Sequence, residues 1–204
     1  MKFTNLIIGL FLTKTLFSCS KDDSFPDYEQ LKSYDLIEIK WKLEATNSQN
    51  IVEKKIPEFY FENDSDKPMS VVIKPLENIE GSSIFEFDDL QTFEKLNFSK
   101  TQVVIPKELS LLSEQYVNLS SGVKAPLTNE ESFFPFSRSF KDSITLNKNN
   151  SLTANYTLYL KENKANFLAI FKENSTGEIL ELTGNWTGMF FEKLSEKTVI
   201  NEIE

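Results

Sequence analysis

The chain has 204 residues, a formal net charge of −9 and no histidine. Such a balance excludes a phosphate-neutralising basic surface for nucleic acid. It also excludes Ser-His-Asp and Cys-His catalysis and His-ligated zinc or haem. Eighteen Phe against six Gly favour packed sheets over disorder.

Met1 and Lys2 precede an apolar run from Phe3 to Phe17, with Lys14 inside it. A spanning helix needs about 20 apolar residues, so this length suits a secretory signal instead. The run ends in Leu16-Phe17-Ser18-Cys19, which resembles the lipobox of bacterial lipoproteins. The resemblance implies cleavage between Ser18 and Cys19, with lipid (palmitate among the acyl chains) on the new N-terminus and its thiol. Ser20-Lys21-Asp22-Asp23 resembles the signal that displays some Gram-negative lipoproteins on the outer face of the outer membrane. Several acyl chains hold stably where one does not, at about 0.8 kcal/mol per buried methylene. Cys19 is the only cysteine, so neither a disulfide nor a CxxC metal site is expected. The organisation read from these features is a signal peptide over 1–18, a lipidated tether over 19–33, a β-rich domain over 34–193 and a charged, fraying tail over 194–204. Ser120-Ser121-Gly122 and Ala125-Pro126 read as a loop, and 120–130 is the candidate internal boundary.

Ile37, Ile39, Trp41 and Leu43 alternate with charged residues, the pattern of a strand with one apolar face. Asn47 to Asn50 reads as a turn. Glu58–Phe61 and Met69–Ile73 read as strands joined by the turn Asn63–Pro68, whose side chains can bond the local backbone. Ile84–Phe87 and Thr101–Ile105 are further strands. Asp88–Leu96 and Pro106–Tyr116 are short helices, the second opened by its proline. Phe134, Phe136 and Phe140 share one strand face, interrupted by Arg138. After a turn at Asn147–Asn150, Leu152 to Leu160 alternate. A separate run holds Phe167, Ala169 and Phe171, and Ile179–Phe191 follows the turn Asn174–Gly177. Gly184 and Gly188 suggest a bulge or bend. The fold class is mainly β: an antiparallel sandwich or elongated twisted sheet with one or two short helices.

No catalytic or cofactor-binding residue stands out. Glu130-Glu131 and Asp88-Asp89 are adjacent, and neighbours on a strand point to opposite faces. Asn63-Asp64-Ser65-Asp66 lacks the glycine and distant glutamate of a calcium loop and reads as a turn, so no metal is expected. Trp41 and Trp186 are in phase with apolar faces and read as core, with sugar stacking as the alternative. Asp142-Ser143-Ile144 resembles the O-glycosylation acceptor of some envelope proteins, which would put a glycan on Ser143.

The order of the C-terminal third, from the Ser/Phe segment at Phe136–Phe140 to Leu182-Thr183-Gly184-Asn185-Trp186-Thr187-Gly188, resembles the membrane-distal β-region of aerolysin and epsilon-toxin-like pore-formers. That family implies long twisted strands, oligomerisation and an inserted amphipathic hairpin. The leading expectation is a lipid-anchored outer-membrane protein, exposed at the cell surface. Its non-enzymatic β-rich domain would bind an extracellular protein or glycan or serve a structural role. The alternatives are an aerolysin-like oligomerising protein, marked by a long polar hairpin lying on the sheet, and a hydrolase using two carboxylates.

Overall fold

The computed structural model describes residues 32–42, 49–99, 101–108 and 120–203. They form a mainly β fold. In chain order the elements are β1 (Ser33–Lys42), β2 (Gln49–Lys55), β3 (Phe59–Asn63), β4 (Met69–Ile73), β5 (Gly81–Phe87) and helix α1 (Leu90–Lys95). Then come β6 (Asn97–Phe98), β7 (Gln102–Pro106), β8 (Ser120–Pro126), β9 (Ser132–Phe134), β10 (Asp142–Leu146), β11 (Asn150–Glu173) and β12 (Ile179–Glu202).

The antiparallel pair β11–β12 is the axis of the molecule, 24 residues in each strand. At about 3.3 Å per residue each runs roughly 80 Å. The two runs expected on either side of Lys161 are one strand. The polar stretch Lys161–Asn166 contains no Gly or Pro, and its backbone is paired with β12 throughout. β12 continues through the expected tail to Glu202, opposite Asn150. Successive stretches of one edge of β11 are taken by β1, β2 and β3, and β5 covers Gly184–Met189 on β12. β2 escaped sequence detection because all seven of its residues are exposed, which leaves no alternation to read.

The buried positions of β11 change parity midway. Leu152, Ala154, Tyr156, Leu158 and Leu160 belong to one core; Ala165, Phe167, Ala169 and Phe171 belong to another. Alternate residues of a strand point to opposite faces, so the two cores lie on opposite faces of the same sheet. Each is roofed by a two-stranded ribbon: β4–β10 over the first through Val71, Ile73 and Leu146, and β7–β8 over the second through Val103, Ile105 and Ala125. The second core is aromatic. Trp41 meets Trp186 edge to face at 5.1 Å, Phe85 meets Phe167 at 5.3 Å, and Phe87 stacks on Phe93 at 3.7 Å. Such pairs add about 0.5–1.5 kcal/mol each beyond area burial.

Several local readings change. A bulge between Leu36 and Glu38 shifts the phase of β1, so Leu36, Ile39 and Trp41 oppose Phe171, Ala169 and Phe167. Ile37, expected on the apolar face, is 55% exposed. The segment Phe136–Phe140 is not a strand, because Pro135 cannot extend the ladder of β9. The three phenylalanines expected on one face also divide: Phe134 packs on Phe190, whereas Phe136 and Phe140 pack on Phe191 on the other face. Pro106 closes β7 rather than opening a helix; Leu109 to Tyr116, the rest of that expected helix, lies outside the described residues. The loop expected at 120–126 is strand β8. Gly184 and Gly188 keep regular pairing with Phe167 and Asn163, and the bulge falls instead at Glu192, between the partners of Tyr159 and Leu160. Gly184 is there for close approach: a Cβ would sit 2.1 Å from the Glu86 carbonyl and 2.8 Å from the Phe167 ring.

Candidate functional site

β7 and β8 form a ribbon separate from the main sheet, with Gln102 opposite Pro126, Val103 opposite Ala125 and Val104 opposite Lys124. The β-branched run Val103-Val104-Ile105 suits a strand. Its inward residues, Val103 at 5% and Ile105 at 0% exposure, press into the aromatic core beside Ala125 and Leu127. Pro106 ends the strand, and the backbone there turns along the middle of β11.

That turn is held by polar groups. The Lys161 ammonium donates to both oxygens of Glu108 at 2.8 Å and lies 4.0 Å from Glu192. The Asn163 amide donates to the carbonyls of Pro106 at 3.2 Å and Lys107 at 2.5 Å. Asn163 is fully buried, and its Oδ1 accepts no hydrogen bond. An unpaired buried acceptor costs on the order of 1–3 kcal/mol. Lys161 and Asn163 stand where β11 exchanges one core for the other, on the same face as Ala165 and Phe167. The ribbon is therefore fixed by apolar contacts along its length and by a polar clasp where β7 ends. Water can replace the clasp's hydrogen bonds but cannot replace the apolar contacts, so the clasp is the end at which the ribbon opens most cheaply.

Sequence reasoning missed Lys161, Asn163 and Glu108. The available signal was parity: the two β11 residues are polar at positions in phase with Ala165, Phe167 and Ala169.

The residues singled out from sequence do not converge. Trp41 and Trp186 are 2% and 1% exposed in the core, with the Trp186 indole donating to Ser83 Oγ at 2.9 Å; neither is a surface platform. Asp88 accepts from Thr183 Oγ1 at 2.6 Å. Asp89 caps α1, accepting from the Thr92 hydroxyl at 2.6 Å and its amide at 3.0 Å, which lowers its pKa. Glu130 and Glu131 are exposed. Asn63-Asp64-Ser65-Asp66 is a turn built on the Asn63 side chain, which accepts from Ser65 N at 3.1 Å and donates to the carbonyls of Lys67 at 2.9 Å and Leu146 at 2.8 Å. No cluster of potential metal ligands occurs among the described residues. Ser143 is exposed on β10, 3.4 Å from Ser70 Oγ. Ser18 and Cys19 lie outside the described residues.

No family model and no curated protein matches the chain. Among solved structures it is similar to lamprey immune protein, at 13% identity and a TM-score of 0.48, over 83% of this chain and 54% of that one. The chain thus spans about half the length of that protein. It is also similar to parasporin-2, a Bacillus thuringiensis toxin that recognizes cancer cells, at 12% identity and a TM-score of 0.35, over 83% of this chain and 75% of that one. An aerolysin-like protein of Bombina maxima matches at 10% identity and a TM-score of 0.31, over 83% of this chain and 97% of that one.

Proposed function

We propose that the chain is a lipid-anchored, non-enzymatic envelope protein of aerolysin-like design, which oligomerises at a membrane when the β7–β8 ribbon leaves the long sheet. The observation that carries this reading is the ribbon itself. It lies on the face of the two longest strands, is hydrogen-bonded in sheet fashion to no other strand among the described residues, and ends in a polar clasp on Lys161 and Asn163. In the sequence joining its strands, Leu109, Leu111, Val117 and Leu119 fall in phase with Val103, Ile105, Val123 and Ala125, broken by Lys107, Ser113, Gln115 and Ser121. A hairpin with one apolar and one polar face is what crossing a bilayer with strands requires. Leu16 to Asp23 supports attachment through Cys19 to the outer membrane, facing outward, and Asp142-Ser143-Ile144 supports a glycan on the exposed Ser143.

The test uses the processed, lipidated chain and dye-loaded vesicles. Leakage together with detergent-resistant oligomers is the expected result, with faster leakage from Lys161→Ala, which loosens the clasp. Absence of oligomers and leakage in both proteins would overturn the reading in favour of a lipid-anchored binding module. For the anchor, Cys19→Ala should abolish processing and lipidation as read by intact mass, and protease added to live cells should remove the wild-type domain.

A further inference from the structure

A second feature stands apart from the ribbon. The chain contains one arginine, Arg138, against a formal charge of −9. Arg138 is exposed and makes no salt bridge among the described residues. It lines an open cavity of about 470 Å³ between the segment 135–140 and the turn 74–80. Arg138 shares this lining with Phe136 and Phe140, two residues before and after it. Both rings pack on Phe191, at 5.7 and 5.1 Å. Across the cavity, Lys74 is engaged by Glu77 at 3.3 Å, and Asn78 takes a left-handed conformation at φ 68° that turns the chain back. Glu80 completes the charged lining.

These groups select a ligand chemistry. A guanidinium offers a planar fork that pairs with a carboxylate through two parallel hydrogen bonds. Aromatic faces at either side take the apolar face of a ring. The volume lies in the range of small-molecule sites and admits a sugar-sized group. The lysine already has a partner in Glu77, so Arg138 is the unpaired cation of the lining, and Glu80 opposes any second negative charge. A single delocalised negative charge on a ring fits this better than a doubly charged phosphate.

We propose that this cavity is a binding site for a carboxylated sugar at the end of a surface glycan, with Arg138 holding the carboxylate and Phe136 and Phe140 supporting the ring. The site does not depend on movement of the ribbon.

The test is isothermal titration of the processed, lipidated protein in detergent with N-acetylneuraminic acid and glucuronic acid, against galactose and inorganic phosphate. Binding of at least one acidic sugar, with no binding of galactose, is expected. Losing a bidentate charged pair should weaken affinity roughly tenfold or more in Arg138→Gln, and Arg138→Lys should recover only part of it. Glu80→Gln should tighten binding several-fold. Because Arg138 is exposed and unpaired, melting temperature should be the same for Arg138→Gln as for wild type. Equal affinity for neutral and acidic sugars, phosphate or phosphatidylglycerol vesicles binding more tightly than either acid, no binding of either acid, or wild-type affinity in Arg138→Gln would each overturn the proposal.

Discussion

The two ends of the long sheet solve the same problem differently. Each has a core on one face, a two-stranded ribbon over it and a tight turn that locks a strand end. Over the aliphatic core, β4 and β10 pair without interruption through five residues each. That ribbon is tied to β11 by the Tyr156 hydroxyl, which donates to Asp142 at 2.7 Å, and burial raises the phenol's pKa. Over the aromatic core, β7 and β8 lose register after Val104 and are held at one end by the Lys161 and Asn163 clasp. The locks differ as well. Beside the aliphatic core the turn is closed by an amide, Asn63. Beside the aromatic core it is closed by a carboxylate. Glu173 accepts from the hydroxyls of Ser175 and Thr176 and from their amides at 3.1 and 2.9 Å, and these bonds, the Ser175 hydroxyl first, hold its pKa at about 2. Gly177, at φ 76°, supplies the left-handed residue that this turn needs. The lock at one end is a neutral amide, whereas the lock and the clasp at the other depend on charges that pH, salt or a ligand can alter.

The most damaging way to test the comparison is through the shared strands. Trp186→Ala should cost about 3–5 kcal/mol and Leu158→Ala about 2–5 kcal/mol. Because β11 and β12 serve both cores, each variant should lower a single denaturant midpoint seen by tryptophan fluorescence and by circular dichroism. Two separate transitions would mean that the ends fold independently. Gly184→Ala, which drives a methyl group against Glu86 and Phe167, should cost about 1–3 kcal/mol in the same single transition.

The clasp gives a smaller, local effect. Glu108→Gln leaves Lys161, whose side chain is only 10% exposed, with the weaker 4.0 Å partner Glu192. Hydrogen exchange should speed up in Gln102–Ile105 and stay unchanged in Met69–Ile73. Uniform change in both ribbons would refute the asymmetry.

Acid should separate the two locks. The Glu173 pKa lies below the ordinary 4.5 for the unfolded chain, so the stabilisation is complete above that value and is lost as pH falls towards 2. The melting-temperature gap between wild type and Glu173→Gln should therefore be widest at pH 7 and close towards pH 2.5, whereas the gap for Asn63→Ala should not vary with Glu173 protonation. The smallest effect is expected at the bulge: Ile37→Ser should change stability by less than about 0.5 kcal/mol, as surface substitutions do. Leu36→Ser should cost clearly more.

Much of this was legible in the chain. Period-two runs located β1 and much of β11 and β12, because a half-buried strand must alternate, and short β-branched or aromatic runs located β4, β5 and β7. Polar turns at Asn63–Pro68, Asn147–Asn150 and Asn174–Gly177 announced themselves through residues that bond their own backbone or accept positive φ. β2 was invisible because it has no buried face. The clasp was hidden because lysine and asparagine inside a strand look like a break until a partner from elsewhere satisfies them.

Local chemistry by itself determined the class of fold, the positions of those three polar turns and the absence of histidine-based chemistry. Only the tertiary structure decided that two apparent strands are one, that the sheet buries opposite faces at its two ends, and that Arg138 meets a turn some sixty residues earlier in the chain. The reason is physical. Alternation reports which face of a strand is apolar, but which face is covered at each point, and by what, depends on segments distant in sequence.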